Sequence, residues 1–281
     1  RVEAVIIPMR DDRATLCLST QVGCAMACRF CATGTLGLTR HLTAGEVVAQ
    51  VHAAQTILAG SPHQLRNLVY MGMGEPLHAY EATSASLRVL LDPGGAAFAY
   101  RHVTVSTVGL PKQIAAFADD FGGRVQFALS LHAGTDATRE AIIPTANRWP
   151  LASLRRALLD MPLPGYRQLM LEYVVLPGIN DTAQELDAVV DFVQGMTVII
   201  NLIPFNPFPQ GPYRSPTDEE VLAVYDHFQA NRVAASIRWP RGRGAAGACG
   251  QLALSTGEAL GEVPSKRSAS PKRFQAGKRI T

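Results

Sequence analysis

Three cysteines lie close together in the stretch Cys24-Ala-Met-Ala-Cys28-Arg-Phe-Cys31, just after a β-branched run that predicts a first strand. Their spacing is Cys-x3-Cys-x2-Cys, with the aromatic Phe30 before the last cysteine. Three thiolates can hold three irons of a [4Fe–4S] cube and leave the fourth iron open, whereas ferredoxin-type carriers close every iron with four cysteines. The loop therefore predicts such a cluster. A zinc site lacking its fourth ligand and three unrelated thiols are the alternatives.

An open iron predicts a specific chemistry for this loop. The iron can chelate the amino and carboxylate groups of a methionine, which lets a reduced cluster deliver one electron to S-adenosylmethionine (SAM) and release a 5′-deoxyadenosyl radical. The cofactors expected from the loop are thus a [4Fe–4S] cluster and SAM.

Around the cluster loop, short β-branched runs alternate with helical stretches. The predicted strands are Thr15–Ser19, Leu68–Met71, His102–Ser106, Gln126–Ser130, Gln168–Val175 and Val198–Ile203. The predicted helices are Ala44–Leu58, Ala82–Leu91, Lys112–Ala118, Leu151–Leu159, Ala183–Val193 and Glu219–Asn231. Two helices open with capping boxes, Thr43 with Glu46 and Thr217 with Glu220.

Six β–α units in succession imply parallel strands with right-handed crossovers. Six units are too few to close an eight-stranded barrel, so we expect an α/β fold with an open, partial (β/α)6 barrel. Its chemistry should lie at the carboxyl ends of the strands, as in complete barrels. We expect one domain over residues 1–254 and a basic, mobile tail over residues 255–281.

Composition sets the cellular context that we expect. The chain has 281 residues, 47% of them hydrophobic, and a net charge of +3, which fits a nucleic-acid partner only weakly. No apolar run is long enough to span a membrane, and no secretory signal pattern opens the chain. The five cysteines are odd in number, and four of them lie between Cys17 and Cys31, unlike a secreted disulfide framework. We expect a cytoplasmic protein that does not enter a membrane.

These motifs resemble the radical SAM superfamily and, within it, the methyltransferases of adenine C2 in 23S ribosomal RNA. The C8 methyltransferases that confer antibiotic resistance are a sister group that shares the same motifs. The matching stretches run in family order from about Val2 to Leu252 and are Arg13–Cys17, Ser19–Cys24, Phe30–Gly34, Leu42–Glu46, Met71–Pro76, Val103–Thr107, Leu129–His132, Asn201–Phe208 and Ala248–Leu252.

The chain departs from that family in two places. The stretch Arg243-Gly-Ala-Ala-Gly247 stands where the family usually carries acidic residues and an isoleucine. This stretch is smaller, more flexible and not acidic, which bears on how the following cysteine is positioned. The family's helical N-terminal accessory domain, which helps to bind RNA, is also lacking from this sequence.

The resemblance implies a SAM pocket at the strand ends. Gly72-Met-Gly-Glu-Pro76 follows the second predicted strand, where glycines let the backbone approach a ligand. The implied cluster ligands are Cys24, Cys28 and Cys31, and the implied SAM-binding residues are Gly74, Glu75, Ser106, Ser130, Leu131, His132 and Asn206. An ordinary turn at residues 72–76 and a purely structural histidine are the alternatives.

The resemblance assigns catalytic roles to two further cysteines and one glutamate. Cys249 is implied to be methylated by one SAM and then to lose a hydrogen to the deoxyadenosyl radical, so that its thiomethylene radical adds to the adenine. Cys17 is implied to break the resulting RNA–protein adduct by forming a disulfide, and Glu3 to accept the proton from C2. Small buried cysteines and a surface glutamate are the alternatives.

The predicted function is therefore methylation of C2 of an adenosine in 23S rRNA, with tRNA as a second substrate. Alternatives are C8 methylation, a relative acting on another RNA or a small molecule, and a non-catalytic iron–sulfur RNA-binding module, which would need neither Cys17 nor Cys249. Expected partners of the monomer are RNA and a low-potential electron donor such as flavodoxin or ferredoxin. RNA contacts are expected from Arg148, Arg155, Arg156, Arg238, Arg241, Arg243 and the basic tail.

Overall fold

The structure is a computed structural model that describes residues 1–209, 211–239, 250, 252 and 278–280. Its strands are β1 (Ala4–Pro8), β2 (Arg13–Cys17), β3 (Gln21–Gly23), β4 (Leu38–His41), β5 (Gln64–Tyr70), β6 (Val103–Thr107), β7 (Gln126–Ser130), β8 (Leu169–Val175), β9 (Val198–Pro204), β10 (Ala235–Ile237) and β11 (Lys278–Ile280). Its α-helices are α1 (Ala32–Thr35), α2 (Ala44–Leu58), α3 (Tyr80–Leu91), α4 (Pro111–Phe121), α5 (Asp136–Ile142), α6 (Leu151–Leu159), α7 (Ala183–Phe192) and α8 (Asp218–Ala230). Short 3-10 helices cover Tyr100–His102 and Pro144–Arg148.

One large sheet organises the chain. Its strand order is β10-β9-β8-β7-β6-β5-β2-β1-β11, and β2 and β5 to β10 are all parallel. The two outermost strands, β10 and β11, do not pair with each other in the described part of the chain, so the barrel stays open. The six predicted strands are six of these seven parallel strands, β2 and β5 to β9, whereas the short strand β10 was not predicted. The partial-barrel prediction is confirmed.

Strands β1 and β11 extend the sheet in the antiparallel sense, and both were missing from the predictions. The register of β1 with β2 places Val5 opposite Cys17, and β11 pairs Ala4 with Ile280. Residues Lys278–Ile280 therefore belong to the sheet. The rest of the expected tail lies outside the described residues, so its mobility stays a prediction.

Side chains along β2 point alternately to the outer core and to the interior of the barrel. Leu16 packs in the large core between the sheet and the outer helices. Cys17, which points to the opposite face, packs instead with Val5, Met73 and Leu252. Cys17 therefore lies on the inner side of the barrel.

All six predicted helices are present, and both capping boxes are confirmed. The backbone N–H of Glu46 donates to Thr43 Oγ1 at 3.2 Å, and Thr43 N–H donates back to the Glu46 carboxylate at 2.8 Å. Thr217 and Glu220 repeat this reciprocal arrangement at the start of α8. Each box satisfies backbone donors that the first helical turn leaves without partners. Within the described residues, no helix has the length and apolar character needed to cross a membrane.

Candidate active site

A cavity opens at the carboxyl ends of strands β5 to β9, beneath the cluster loop. It collects residues that are far apart in sequence, as the parallel topology requires. Its lining includes the predicted residues Cys24, Cys28, Cys31, Gly74, Glu75, Ser106, Ser130, His132 and Asn206. The structure therefore brings together the three predicted cluster ligands and nearly all of the predicted SAM-binding residues.

The cluster loop holds its thiols in an apolar environment. Cys24 and Cys28 are buried and Cys31 is partly exposed, and all three are free thiols. Burial raises the pKa of Cys24 to about 12 and raises the pKa of Cys28 well above its ordinary value. Thiols buried in apolar surroundings stay protonated at neutral pH. They lose their protons and become good ligands when a metal ion binds, because its positive charge stabilises the thiolates. This donor set fits an iron–sulfur cluster.

The spacing of the thiols also bears on the zinc alternative. Among the residues that the structure describes, no three Cys, His, Asp or Glu side chains converge closely enough to hold one metal ion. A single zinc ion draws its ligands to one point, whereas a four-iron cube presents a separate iron to each thiol. The two alternatives thus differ in how closely the three thiols must approach one another, and the cluster stays the prediction.

The backbone of the cluster loop is held by close contacts. Cys31 N–H donates to Cys28 O at 3.2 Å, and Arg29 N–H donates to Ile142 O at 2.9 Å. A Cβ atom at Gly34 would lie 2.7 Å from the Cys28 carbonyl oxygen, so only glycine fits there. These contacts connect the loop to α1 and to the end of α5.

The glycines of the segment after β5 have a packing role that the sequence did not reveal. A Cβ atom at Gly72 would lie 2.6 Å from the carbonyl oxygen of Leu18, and one at Gly74 would lie 2.5 Å from Cβ of Gln21. Gly74 also has a φ of 102°, which other residues rarely adopt. The two glycines let this segment cross tightly beneath the chain that leads into the cluster loop.

Glu75 connects the ends of two neighbouring strands. Its carboxylate accepts from Leu77 N–H at 2.9 Å and from Val108 N–H at 2.8 Å, and its own N–H donates to Gln21 Oε1 at 2.8 Å. Burial raises the pKa of Glu75 to about 7, although these hydrogen bonds oppose the shift. The carboxylate thus holds together the segments that follow β5 and β6. Because Glu75 is buried and lines the cavity, residues 72–76 do not form an ordinary surface turn.

Polar side chains from three further strand ends complete the wall. Ser106 Oγ lies 3.4 Å from Ser130 Oγ across β6 and β7. Asn206 follows β9, where its Nδ2 donates to Pro204 O at 3.3 Å. These groups supply hydroxyl and amide donors and acceptors that can hold the polar parts of a bound molecule.

His132 combines a structural and a lining position. Its φ is 60°, its carbonyl accepts from Asn180 Nδ2 at 2.7 Å, and its Nδ1 accepts from Val174 N–H at 3.0 Å. Burial lowers the pKa of His132 to about 3, so the ring is neutral with its proton on Nε2. The ring packs edge-on against Phe30 of the cluster loop, with centroids 4.7 Å apart. The histidine is fixed by the fold and lines the cavity.

Leu131 differs from the other predicted SAM-binding residues. Its side chain is fully buried in the core between sheet and helices and does not line the cavity. Its carbonyl oxygen accepts from Arg139 Nε at 3.1 Å. Any contact of Leu131 with a bound molecule would therefore come from its backbone.

Cys17 and Glu3 lie beside the cavity rather than in its lining. Glu3 is fully buried, its N–H donates to Met73 Sδ at 3.4 Å, and its carbonyl accepts from Ser19 Oγ at 2.5 Å. The alternative interpretation of Glu3 as a surface residue is therefore wrong. Cys17 packs in one hydrophobic group with Leu252, and Leu252 also lines the cavity. Leu252 therefore lies between Cys17 and the cavity.

The described residues nearest to Cys249 are tied to the cluster loop. Ala32 N–H donates to Gly250 O at 2.7 Å, and Thr33 Oγ1 donates to Leu252 O. Gly250 and Leu252 both line the cavity. Cys249 itself lies outside the described residues, as do Arg241 and the stretch Arg243–Gly247.

Two buried charged residues of the site were not predicted. Glu172 lines the cavity, accepts from Asn201 Nδ2 at 3.0 Å, and has its pKa raised by burial. Arg139 is almost fully buried and donates to the carbonyls of Leu131 and Val108 at the strand ends. A single charge within the apolar strand Leu169–Val175 was a signal that could have identified Glu172.

The predicted RNA-binding arginines differ in their surroundings. Arg148 and Arg238 are exposed, and the charge of Arg238 acts on Glu172 in the cavity. Arg155 instead donates to Phe192 O at 3.0 Å and to Gln194 O at 2.5 Å. It satisfies carbonyls at the end of α7, so we assign Arg155 to the fold rather than to RNA. Arg156 lies on the outer helix α6.

Comparison with known proteins identifies the family. The sequence pattern of the radical SAM superfamily matches residues 18–193, which include the cluster loop. The dual-specificity RNA methyltransferase RlmN of Anaeromyxobacter sp. (strain Fw109-5) is 43% identical over 261 residues, covering 91% of this chain and 68% of that protein. This chain belongs to the RlmN family of radical SAM proteins.

Two further relatives agree with membership of the RlmN family. The RlmN of Sorangium cellulosum (strain So ce56) is 45% identical over 257 residues, covering 92% of this chain and 64% of that protein. The crystal structure of a radical SAM methyltransferase from Sphaerobacter thermophilus superposes with a TM-score of 0.83 at 40% identity, covering 89% of this chain and 73% of that one. The chain thus spans about two thirds of the length of the RlmN relatives, and the family resemblance found in the sequence is confirmed.

Proposed function

We propose that this chain is a SAM-dependent RNA methyltransferase that methylates C2 of an adenosine in 23S rRNA, with tRNA as a second substrate. The observation that carries the proposal is the convergence, in one cavity, of the three loop thiols, the polar strand ends and the Gly250–Leu252 segment. The family supports it, since the RlmN relatives are named dual-specificity RNA methyltransferases. Residues 1–254 would form the catalytic domain, working with a low-potential electron donor such as flavodoxin or ferredoxin.

Cys24, Cys28 and Cys31 would hold a [4Fe–4S] cluster at this cavity wall. When bound, the cluster and SAM supply a 5′-deoxyadenosyl radical. The apolar burial of the thiols supports this assignment, because it excludes water from the place where a reactive radical would otherwise be quenched. Ala133 and Val174, which pack with the loop cysteines, contribute to that exclusion.

The strand-end residues would bind SAM. Ser106, Ser130 and Asn206 offer hydrogen bonds, and His132 offers a neutral Nε2–H donor because its Nδ1 is already an acceptor. Glu75 acts as a positioning residue, because its carboxylate holds the β5 and β6 loops together. Such a pocket is preorganised, which reduces the ordering cost of binding.

Cys249 would carry the methyl group to the adenine, and Cys17 would release the product. The thiolate of Cys17 attacks the sulfur of Cys249 in the RNA adduct, so an S–S bond forms and the S–C bond breaks. The electron pair left on carbon takes up a proton, which completes the product methyl group. The contact of Cys17 with Leu252 supports this pairing, because Leu252 is three residues from Cys249 in the sequence. The buried carboxylate of Glu3, in the chain segment paired with Cys17's strand, would accept the C2 proton.

Mass spectrometry of RNA nucleosides tests the proposed reaction. A bacterial strain lacking its own C2 methyltransferase would be complemented with this chain, and with Cys28→Ala as the inactive control. We expect 2-methyladenosine in 23S rRNA and in tRNA only with the wild-type chain. Appearance of 8-methyladenosine would instead establish the C8 alternative, and no new methyladenosine would contradict the proposed function.

A further inference from the structure

Two histidines are joined by one glutamine on the outer side of the cavity wall. Gln21 Nε2 lies 2.9 Å from His41 Nδ1 and 3.2 Å from His78 Nδ1. The two rings meet edge to face with centroids 5.0 Å apart. The pairing of β3 with β4 explains the geometry, because it places Gln21 directly opposite His41. The proposed mechanism assigns this group of three residues no role.

The hydrogen bonds determine which nitrogen of each ring carries the proton. Gln21 Oε1 accepts from Glu75 N–H at 2.8 Å, which orients the amide so that its NH2 group faces both rings. Each Nδ1 is then an acceptor, so each neutral imidazole carries its proton on Nε2. Both histidines are exposed, and neither Nε2 has a hydrogen-bond partner among the described residues. The pair thus offers two fixed N–H donors to a molecule from outside.

The surroundings of the pair favour an anion. Burial, then the neighbouring His41 and then the positive charge of Arg148 lower the pKa of His78, so Arg148 lies near enough to act on this ring. Arg148 is exposed and forms no ion pair within the described part of the chain. Glu46, the acidic residue near His41 in sequence, is already paired with Arg40 at 2.7 Å. A site that offers donors and a free cation matches a group that only accepts hydrogen bonds, such as a phosphate.

We propose that His41, His78 and Arg148 bind a backbone phosphate of the RNA substrate. This inference rests on the proposed function, which supplies the RNA, and it adds the place where RNA docks. The site lies next to the cavity, because Gln21 contacts both histidines and also accepts from the backbone N–H of Glu75, which lines the cavity. A phosphate bound there would fix the backbone beside the cavity while a neighbouring base enters it.

Binding measurements with cluster-loaded protein test the site. The probe is a fluorescent transcript of the 23S rRNA hairpin that contains the target adenosine, and fluorescence anisotropy gives the affinity at several salt concentrations. We expect His41→Ala and His78→Ala each to weaken binding by about 3- to 10-fold, the effect of one lost hydrogen bond. A ring whose Nδ1 accepts a hydrogen bond from Gln21 donates through Nε2 and adds no charge to the contact, so the dependence of affinity on salt should not change.

Arg148→Ala should behave differently from the histidine variants. It should also weaken binding, but it should reduce the slope of log affinity against log salt by about one, since a charge contact to phosphate is lost. His52→Ala on α2 and Arg101→Ala at the amino end of β6 are matched exposed controls that should bind like wild type. A hairpin of scrambled sequence should show the same losses, because a phosphate contact does not depend on sequence.

The possible outcomes separate the site from the proposed function. If wild-type protein binds and methylates RNA while His41→Ala and His78→Ala bind as tightly, the phosphate site is overturned and the function stands. Losses confined to the target hairpin would indicate base contacts and would also overturn the phosphate assignment. If the wild-type protein neither binds nor methylates RNA, both proposals fail. Iron content and melting temperature close to wild type would show that the variants are folded.

Discussion

The backbone N–H of Ala32 donates to the carbonyl oxygen of Gly250 at 2.7 Å. Residue 32 directly follows the last cysteine of the cluster loop, and residue 250 directly follows Cys249. A second hydrogen bond, donated by the side-chain hydroxyl Thr33 Oγ1, reaches Leu252 O. The cluster loop and the described residues after Cys249 are thus joined by hydrogen bonds, and breaking these bonds should impair the proposed transfer of a methyl group through Cys249.

Thr33→Val tests this coupling. The substitution keeps the shape of the side chain but removes the donor to Leu252 and the side-chain hydrogen bond to the Cys31 thiol, and it leaves a buried carbonyl without its partner. We expect methylation to fall by about 3- to 10-fold while iron content stays at the wild-type value. Turnover and iron analysis are measured together. Thr35→Val is the control, because Thr35 Oγ1 donates only to Ala32 O, at 2.7 Å within the same short helix. Equal turnover in both variants would show that the Thr33 bond does not matter.

The cluster ligands are tested by iron content alone. Anaerobically reconstituted wild-type protein should bind about four irons, and Cys24→Ala, Cys28→Ala or Cys31→Ala should lose most of them. Cys17→Ala should keep its iron, because Cys17 packs with Val5 and Met73 away from the loop. Wild-type iron content in Cys28→Ala would contradict the ligand assignment.

Deuterium labelling separates the two methyl steps. Protein purified from cells should carry one extra methyl group on the peptide that contains Cys249. The first turnover delivers the unlabelled methyl group already on Cys249. In later turnovers with SAM whose methyl group is fully deuterated, the product methyl should retain two deuterium atoms, because one deuterium is abstracted and a solvent proton replaces it. Mass spectrometry of the nucleoside reads this directly. Retention of all three deuterium atoms would mean simple displacement and would remove the radical step.

Gly74→Ala tests the packing role found for the segment after β5. The new Cβ would lie 2.5 Å from Cβ of Gln21, at a φ of 102°. We expect the free energy of unfolding to fall by about 2–4 kcal/mol, from backbone strain and overpacking together. Chemical denaturation measures this. Gly45→Ala is the control, because a Cβ there meets nothing closer than Thr43 Oγ1 at 4.0 Å, inside helix α2. It should leave stability unchanged or raise it by about 1 kcal/mol.

Much of the architecture could be predicted because strand and helix periodicities are local. The strand β7, Gln126–Ser130, and the helix α2, Ala44–Leu58, have the predicted bounds. Strand β1 was missed because it is short and its pairing with β2 and β11 is not encoded in its own five residues. Glu3 directly precedes β1, and its carbonyl oxygen accepts from Ser19 Oγ. Its burial therefore follows from the pairing of β1 in the sheet, which a charged side chain does not predict.

In the candidate site too, features set by nearby residues could be predicted from the sequence, whereas contacts between distant segments could not. The cysteine spacing and the strand-end polar residues are local patterns, and the structure gathers them into one cavity. The contact between His41 and His78 depends on the β3–β4 register and on the turn after β5, which no local pattern specifies. Leu131 was assigned with its neighbours, but alternation along the strand end directs its side chain into the core.

The variant Cys17→Ala distinguishes a catalytic role of Cys17 from a structural one, because the two roles predict opposite effects on turnover. If Cys17 is only a buried strand residue, Cys17→Ala should cost some stability and leave turnover close to wild type. If Cys17 resolves the adduct, the variant still binds the cluster and SAM and still attacks RNA through Cys249. It then stops with RNA covalently attached, because no thiol breaks the S–C bond.

A denaturing gel of Cys17→Ala protein expressed in cells distinguishes these two roles. We expect a slowly migrating species that disappears after ribonuclease treatment and is absent from Cys17→Ala/Cys249→Ala. The double variant is the matched control, because it keeps Cys24, Cys28 and Cys31 and differs from Cys17→Ala only in losing Cys249, the proposed attacking residue. Near-normal methylation by Cys17→Ala without such a species would assign Cys17 to packing against Met73 and Leu252. Since Leu252 is also held by the cluster loop through Thr33, adding Thr33→Val to Cys17→Ala should reduce the yield of the adduct without removing it.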